Sequence, residues 1–346
     1  MTLKIGIIGY GKMGQTRHQA IERTDTGTVI GIYGFPGDPV PADLSLPDID
    51  SLLARDDIEA VYICAINSLN KELTIAALEA GKHVFCEKPP AFTAADVEEI
   101  RKVEAQSGKV LMYGFNHRHH GAAVKMKQVV DGGELGRILW MRGRYGKSVD
   151  EDYLETWRAK PELAGGGIMI DQGIHMLDLF LYLGGGFDEV QAMVSHLYWQ
   201  LPGIEDNVFA NFRNTETGLC ASLHSTMIQW RHLFALEVFM ERGYMVLNGL
   251  KTGSGTYGAE QLVIARNRAK APAASWEQES SETYEKDESW DREARAFADW
   301  ITTGKPGLGS GDSLGALKVM QLVDAIYASE RHTAPQLYRK LNAVVG

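Results

Sequence analysis

The sequence predicts an α/β domain with a doubly wound parallel sheet, followed by an α+β domain on an open, largely antiparallel sheet. Three observations carry this expectation. At roughly 150 residues per domain, a chain of 346 residues is long enough for two. Its first third alternates short apolar runs with helical patterns, as parallel strands with right-handed crossovers do. After about Arg118 strand-like runs follow one another with few helices between them, which favours antiparallel pairing.

Taken in order, Leu3 to Ile8 reads as a short buried strand and Met13 to Arg23 as the helix after it. Thr28 to Tyr33 and Ile58 to Ala65 read as strands, and four prolines (Pro36, Pro39, Pro41, Pro47) predict a loop between them. Leu73, Ala76, Ala77 and Ala80 repeat at helical spacing up to Gly81. Lys82 to Cys86 is a further strand, Ala94 to Gln106 a helix, and Lys109 to Phe115 a strand. Beyond Arg118, Ile138 to Tyr145 alternates as a half-buried strand does. Similar runs follow at Glu189 to Tyr198, Val208 to Arg213, Leu219 to Thr226, Phe234 to Met240 and Tyr244 to Asn248. The polar, acidic stretch Ala271 to Glu288 predicts a surface loop, and Val319, Leu322, Val323, Ile326 and Tyr327 share one helical face.

Composition narrows the function. Hydrophobic residues at 45% can build a full core, and no apolar run approaches the roughly 20 residues of a membrane span. A formal charge of −10 argues against a nucleic-acid partner, whose binding rests on neutralising phosphates. The N-terminus enters a strand directly, so no signal peptide is expected. Three cysteines (Cys64, Cys86, Cys220) make no disulfide framework, which points to a reducing cytoplasm.

Gly9-Tyr10-Gly11-Lys12-Met13-Gly14 is a G-x-G-x-x-G placed after a buried strand and at the start of a helix. There the first glycine makes the turn, the second admits a pyrophosphate to the backbone, and the third allows close helix–strand packing. The acidic residue that normally ends the second strand and binds the ribose is replaced by Gly34. Asp38 could fold back to that ribose, or Lys12 and Arg17 could approach a phosphate, so NAD and NADP both stay open. The lack of a cation just after Gly34 tilts the expectation slightly to NAD.

Glu87-Lys88-Pro89 follows a parallel strand, where open α/β sheets bind ligands; taken alone it reads as an ion pair at a turn. Asp171, His175 and Asp178 have the i, i+4, i+7 spacing of one helical face. A histidine flanked by carboxylates can be oriented for proton transfer, or can be a buried histidine with a structural partner. His117-Arg118-His119-His120 lacks an acidic or cysteine partner at ligand spacing, so it reads as an interdomain polar connector, and no metal is expected. Arg142, Arg144, Lys147, Arg158 and Lys160 place cations near the expected site, as a solvated sheet face or as a grip for a nucleotide-sugar diphosphate.

In this order and at these separations, the motifs resemble the glucose–fructose oxidoreductase / inositol dehydrogenase (Gfo/Idh/MocA) family of nicotinamide enzymes along nearly the whole chain. Gly81 to Pro89 is a close match, and Ala65-Ile66-Asn67-Ser68-Leu69-Asn70 stands where the family often has T-P-N-x-x-H. Departures are Ile66 for Pro, Asn70 for His and Gly34 for the ribose Asp.

The resemblance implies a Rossmann domain over residues 1–118 and a substrate-binding and oligomerisation domain over 119–346, whose last helix can return to the first. It implies Lys88 binding the substrate hydroxyl, Asp171 orienting Lys88 and substrate, His175 as general base, and Asp178 as helix support. Cofactor contacts would come from Gly9, Gly11, Lys12, Met13, Gly14, Gly34, Ala65, Asn67, Glu87, Lys88, Asn116, Trp157 and Arg158. The expected reaction is NAD(P)-dependent oxidation or reduction at a secondary alcohol or ketone of a sugar, inositol or nucleotide-sugar. The alternatives are the family's NAD-dependent glycosidase chemistry by oxidation and elimination, and a non-catalytic sensor. A homodimer or homotetramer is expected, with Trp199, Phe209 and Phe239 helping to make an apolar sheet face.

Overall fold

The computed structural model describes residues 2–266 and 275–333. Five parallel strands form the first sheet: β1 (Leu3–Ile8), β2 (Gly27–Tyr33), β3 (Ala60–Ile63), β4 (His83–Glu87) and β5 (Leu111–Gly114). Their order is β2-β1-β3-β4-β5, so the direction of winding reverses between β1 and β3. Apolar side chains fill both faces: Ile5, Ile7 and Ile8 of β1 are almost wholly buried, as every strand of a doubly covered parallel sheet must be. The crossovers are α1 (Lys12–Thr24), α2 (Ile49–Leu53), α3 (Asn70–Glu79) and α4 (Ala94–Ser107). Thr93 caps α4 by exchanging hydrogen bonds with Asp96, a reciprocal cap that defines where the helix begins. The proline-bearing stretch after β2 is a loop up to α2, anchored by a lone bridge from Ser45 to Ile32.

After α5 (Gly121–Gly132), β6 (Ile138–Ser148) opens the second sheet, and α6 (Pro161–Ala164) and α7 (Ile174–Gly184) precede its remaining strands. These are β7 (Glu189–Ser195), β8 (Asn207–Arg213), β9 (Cys220–Thr226), β10 (Ile228–Met240), β11 (Gly243–Asn248), β12 (Glu260–Arg266) and β13 (Ser280–Tyr284). Their order is β13-β12-β11-β10-β6-β9-β8-β7, antiparallel throughout except for the parallel pair β6–β9. Strand alternation gives the sheet two unlike faces. Met141, Gly143 and Tyr145 of β6 face the core with α7, while Trp140, Arg142 and Arg144 face outward. Gly143 is required there, because a Cβ would stand 2.4 Å from Met176 of α7.

The acidic stretch expected as a loop is corrected in part. Residues 280–284 pair with β12 as an edge strand, made mostly of exposed polar side chains, which is why the sequence hides it. Residues 271–274 of that stretch lie outside the described residues. Two last helices, α8 (Ser289–Thr303) and α9 (Ser313–Thr333), return to the first sheet. Phe297 of α8 meets Tyr62 and Phe85 edge-on, and Asp324 of α9 accepts the Ala94 N–H at the start of α4. Among the described residues no helix is long and apolar enough to cross a membrane.

Candidate active site

At the end of β1 the three glycines divide their labour. Gly9 has φ +89°, and a Cβ there would lie 2.5 Å from the Cys64 carbonyl beyond β3. At Gly14 a Cβ would stand 2.1 Å from the Gly9 carbonyl. These two are demanded by the fold itself. Gly11 is different: its Cβ would meet only Asp38, at 3.5 Å. It precedes α1 without a side-chain cap, which leaves the first N–H groups of the helix without a side-chain acceptor. An uncapped helix N-terminus behind a glycine with room at its Cβ, at the sheet's point of reversal, fits a dinucleotide pyrophosphate.

Asp38 completes this end of the site. Its Oδ2 accepts the N–H groups of Tyr10 and Phe35, both at 2.8 Å, which folds the proline loop back against the glycine turn. Gly34 is where that loop passes: a Cβ there would stand 2.3 Å from Val40 and 3.0 Å from Asp38. Arg17, considered for a phosphate, is corrected. It is 1% exposed, donates to Glu87 of β4 at 2.6 Å and to Glu293 of α8, and lies over the Phe85 and Trp290 rings. The same network engages the carboxylate of Glu87, a residue expected at the cofactor, with Arg17. Burial against Glu87 raises Glu293 to about 7, despite the opposing charge of Arg17.

Lys88 follows β4. Asn70 of α3 donates to the carbonyls on either side of it, Glu87 at 3.3 Å and Pro89 at 2.7 Å, and so fixes the turn. The Lys88 ammonium donates to the Asp171 main-chain carbonyl at 2.6 Å and lies 3.5 Å from Asp171 Oδ1. Lys147 at the end of β6 donates to Asp171 Oδ2 at 3.1 Å, and Arg158 Nε lies 3.5 Å from Oδ1. Burial pushes the Asp171 carboxyl up, but Lys147, Lys88 and Arg158 outweigh it and hold the group well below its usual range.

Asp171 sits in a π-turn, Met169–Gly173, that runs directly into α7. The wider turn breaks the assumed i, i+4, i+7 register and corrects it. Asp178 is wholly buried and bound by Arg118, not directed at His175. His175 stacks instead on His117, with ring centroids 3.9 Å apart. His117 Nε2 is 2.9 Å from the Tyr145 hydroxyl, and its Nδ1 is 3.1 Å from Asn116 Oδ1. Burial, followed by the charge of Lys88, lowers His175 well below its ordinary value and outweighs Asp171, leaving a neutral ring. Its Nδ1 is buried without a hydrogen-bond partner.

The H-R-H-H run is therefore not merely a connector: His117 lines the site, Arg118 holds Asp178, and His120 holds Glu260 at 2.8 Å. Among the described residues no cluster of three or more potential metal ligands occurs. The other expected cofactor residues each have a definite local setting. Ala65 follows β3 beside Gly9; Asn67 donates to the Ala164 carbonyl at 2.9 Å; Asn116 donates to Ser289 at 3.3 Å; and Arg158 stacks on Trp157. The five cations noted on and after β6 separate: Lys147 and Arg158 face Asp171, whereas Arg142 pairs with Glu237 on the open face of the sheet. His117, Lys147 and Asn70 carry more of the site than their sequence spacing reveals.

A helix N-terminus suited to a nucleotide, and a lysine, a carboxylate and a neutral histidine gathered at the end of another strand of the same sheet, fit a two-domain nucleotide-dependent enzyme site. Comparison with known proteins agrees. Residues 3–115 match the oxidoreductase family described as an NAD-binding Rossmann fold, and residues 123–246 match the GFO/IDH/MocA C-terminal domain. The chain belongs to the Gfo/Idh/MocA family. Levoglucosan dehydrogenase of Pseudarthrobacter phenanthrenivorans is 31% identical over 216 residues, covering 56% of this chain and 54% of that protein. For 1,5-anhydro-D-fructose reductase of Ensifer adhaerens the figures are 30% over 226 residues, 64% and 61%. The matched stretch thus spans little more than half the length of these curated relatives. In fold, a levoglucosan dehydrogenase complex with NADH superposes with a TM-score of 0.80 at 24% identity, over 96% of this chain and 98% of that one. A 3-ketoreductase of Actinomadura kijaniata, in complex with TDP-benzene and NADP, gives 0.77 at 22% identity, over 95% and 98%.

Proposed function

We propose that this chain is an NAD(P)-dependent oxidoreductase that transfers a hydride between nicotinamide and a secondary alcohol or ketone of a carbohydrate-type substrate. In this reading residues 1–118 hold the dinucleotide and 119–346 hold most of the substrate, in a reducing cytoplasm that suits three unpaired cysteines. The observation that carries it is the meeting of Lys88, from the carboxyl end of a parallel strand, with Asp171 and His175 from the second domain. The names of the related dehydrogenases and reductases support the same chemistry.

The nicotinamide, when bound, takes up the hydride from the carbinol carbon or returns it. The chain does the rest. Gly11 and the first turn of α1 hold the phosphates, and Asp38 holds the ribose. Lys88 binds the substrate oxygen and stabilises the negative charge that grows there, and Asp171 keeps Lys88 in place. His175, held neutral, takes the hydroxyl proton in oxidation and supplies it in reduction.

Incubation with NAD⁺ and a panel of sugars, followed by absorbance and by NMR of the products, tests this. NADH formed together with a ketone supports it. Glycoside cleavage without net NADH selects oxidation and elimination, and bound cofactor without any turnover selects a sensor. Lys88→Ala and His175→Ala should each lower kcat by ~10²–10⁴ while cofactor affinity is retained. Near wild-type turnover in both would remove the assigned roles.

A further inference from the structure

We propose that the substrate carries a second ring, a further sugar unit joined to the one that reacts, and that Trp230 and Tyr198 hold it at the rim of the site. This rests on the hydride-transfer reading and narrows its substrate class. The observation that carries it is an interruption of the second sheet beside Asp171.

Ile228 of β10 pairs with Ser148 of β6, and Leu233 pairs with Gly146, so the four residues 229–232 stand opposite Lys147 alone. Lys147 is the strand residue that donates to Asp171. Bulges beside sites re-aim side chains that a regular strand would alternate. Trp230, within this bulge, has φ +57°, a left-handed conformation that bulky side chains rarely adopt. Its side chain is 59% exposed, so burial within the chain does not offset the strain.

Tyr198, equally exposed, reaches the indole from the loop after β7; the two rings meet edge to face at 5.1 Å. Asp206, wholly buried, fixes both segments. Its carboxylate accepts the N–H groups of Leu197, Tyr198 and Trp199 at 2.9, 2.7 and 3.0 Å. Its carbonyl accepts the Met227 N–H at 2.9 Å and the Thr226 hydroxyl at 3.1 Å, directly ahead of β10. The aromatic pair is therefore preorganised, and ordering it costs a ligand little.

A series of rings joins the pair to the catalytic end. His175 stacks on His117, and centroid distances of 5.5, 5.5 and 4.8 Å lead on through Tyr145 and Tyr257 to His232 in the bulge. Burial, followed by the charge of Lys147, lowers His232 and keeps its ring neutral. A sugar ring has C–H groups on its faces and hydroxyls round its edge. Aromatic faces attract the former and shed water in doing so, and a neutral imidazole can exchange a hydrogen bond with the latter. Two exposed rings cover far less than the roughly 1,000 Å² of a stable protein contact, which favours a small ligand. With the reacting ring at Lys88 and His175, a ring linked to it extends along this series to Trp230 and Tyr198. Hydride transfer leaves that second ring unchanged.

The test uses the full-length protein saturated with NADH and titrated calorimetrically. Glucose is compared with cellobiose, gentiobiose and maltose, galactose with lactose and melibiose, and mannose with mannobiose. At least one disaccharide should bind about tenfold or more tighter than the monosaccharide it contains. The gain should vanish in Trp230→Gly and Tyr198→Ala and persist in Trp230→Phe. Because glycine relieves a positive φ, Trp230→Gly should hold or raise the melting temperature, which separates a lost contact from a lost fold. Equal affinities within every set, or a gain that Trp230→Gly leaves in place, overturn the proposal. So does a Trp230→Gly protein whose particle mass falls in light scattering while its sugar affinities stay the same, since the patch then joins two copies of the chain. Oxidation of monosaccharides by NAD⁺ would in those cases leave hydride transfer standing. A disaccharide gain that depends on Trp230, with no turnover of any sugar, would fail hydride transfer and keep the aromatic subsite.

Discussion

His175 and His117 lie face to face, and both are buried beside the positive charge of Lys88, so proton uptake by either ring is opposed by the other. The sign for catalysis follows. Oxidation needs the neutral His175 ring, and its pKa lies well below the ordinary 6.5. Activity should therefore be flat near neutrality and fall on the acid side, through an ionisation below 6.5 that disappears from the profile of His175→Ala. A limb centred at or above 6.5 would show that the cavity does not hold the ring as described. Asp38 makes the second prediction at this scale. A carboxylate fixed by the Tyr10 and Phe35 N–H groups beside Gly11 can accept from a ribose hydroxyl and repels a 2′-phosphate. NADH should bind about tenfold tighter than NADPH in fluorescence titration, a difference that Asp38→Ser should erase. A hundredfold preference for NADPH would refute it.

The glycine turn is an element whose parts separate by experiment. The Cβ that Gly11→Val adds meets only Asp38, at 3.5 Å, so the fold should survive while nicotinamide cofactor binding is lost. Gly14→Ala puts a methyl 2.1 Å from a carbonyl and should lower the melting temperature itself. Calorimetry and thermal melts distinguish the two, and retained affinity in Gly11→Val would undo the cofactor assignment. The contrast also shows what was legible in the sequence. The G-x-G-x-x-G, the strand just before Lys88 and the run from Asp171 to His175 could be read because each is local, with spacing tied to one element. The π-turn could not: Met169, Ile170 and Ile174 are all buried, so no polar face marks the helical phase. The His117–His175 stack joins segments distant in sequence, and the loop that carries Asp38 to Gly11 is set by two main-chain hydrogen bonds that leave no pattern. β13 is hidden by its exposed polar edge, and α8 by the few large apolar side chains on its buried face, where Phe297 fills the first core beside Ala294.

At the scale of the molecule, α7 covers one face of the eight-stranded sheet and α9 packs at its β7 edge, while among the described residues the other face is exposed over its middle strands. Its side chains are not those of an ordinary solvated face. Tyr244, Phe239 and Trp140 lie opposite one another on β11, β10 and β6 and stack in series, at 5.0 and 4.1 Å. On β8 and β9, Phe209 stacks on His224 at 4.0 Å, and Met193 of β7 is 62% exposed beside it. Trp199, expected on this face, lies beyond the end of β7, and Trp140 takes its place. A broad aromatic surface on rigid strands suits a self-complementary contact across a two-fold axis. The open face should therefore pair with that of a second copy. Light scattering should give a particle of at least about twice the 38.2 kDa chain mass at micromolar concentration. The double change Trp140→Glu with Phe209→Glu adds repulsion at exposed positions, 38% and 44%, where the chain's own core is not disturbed. It should yield a folded monomer with unchanged circular dichroism. A wild-type particle of 38.2 kDa across the micromolar range would overturn the contact, and a dimer that survives both charges would place it on another surface.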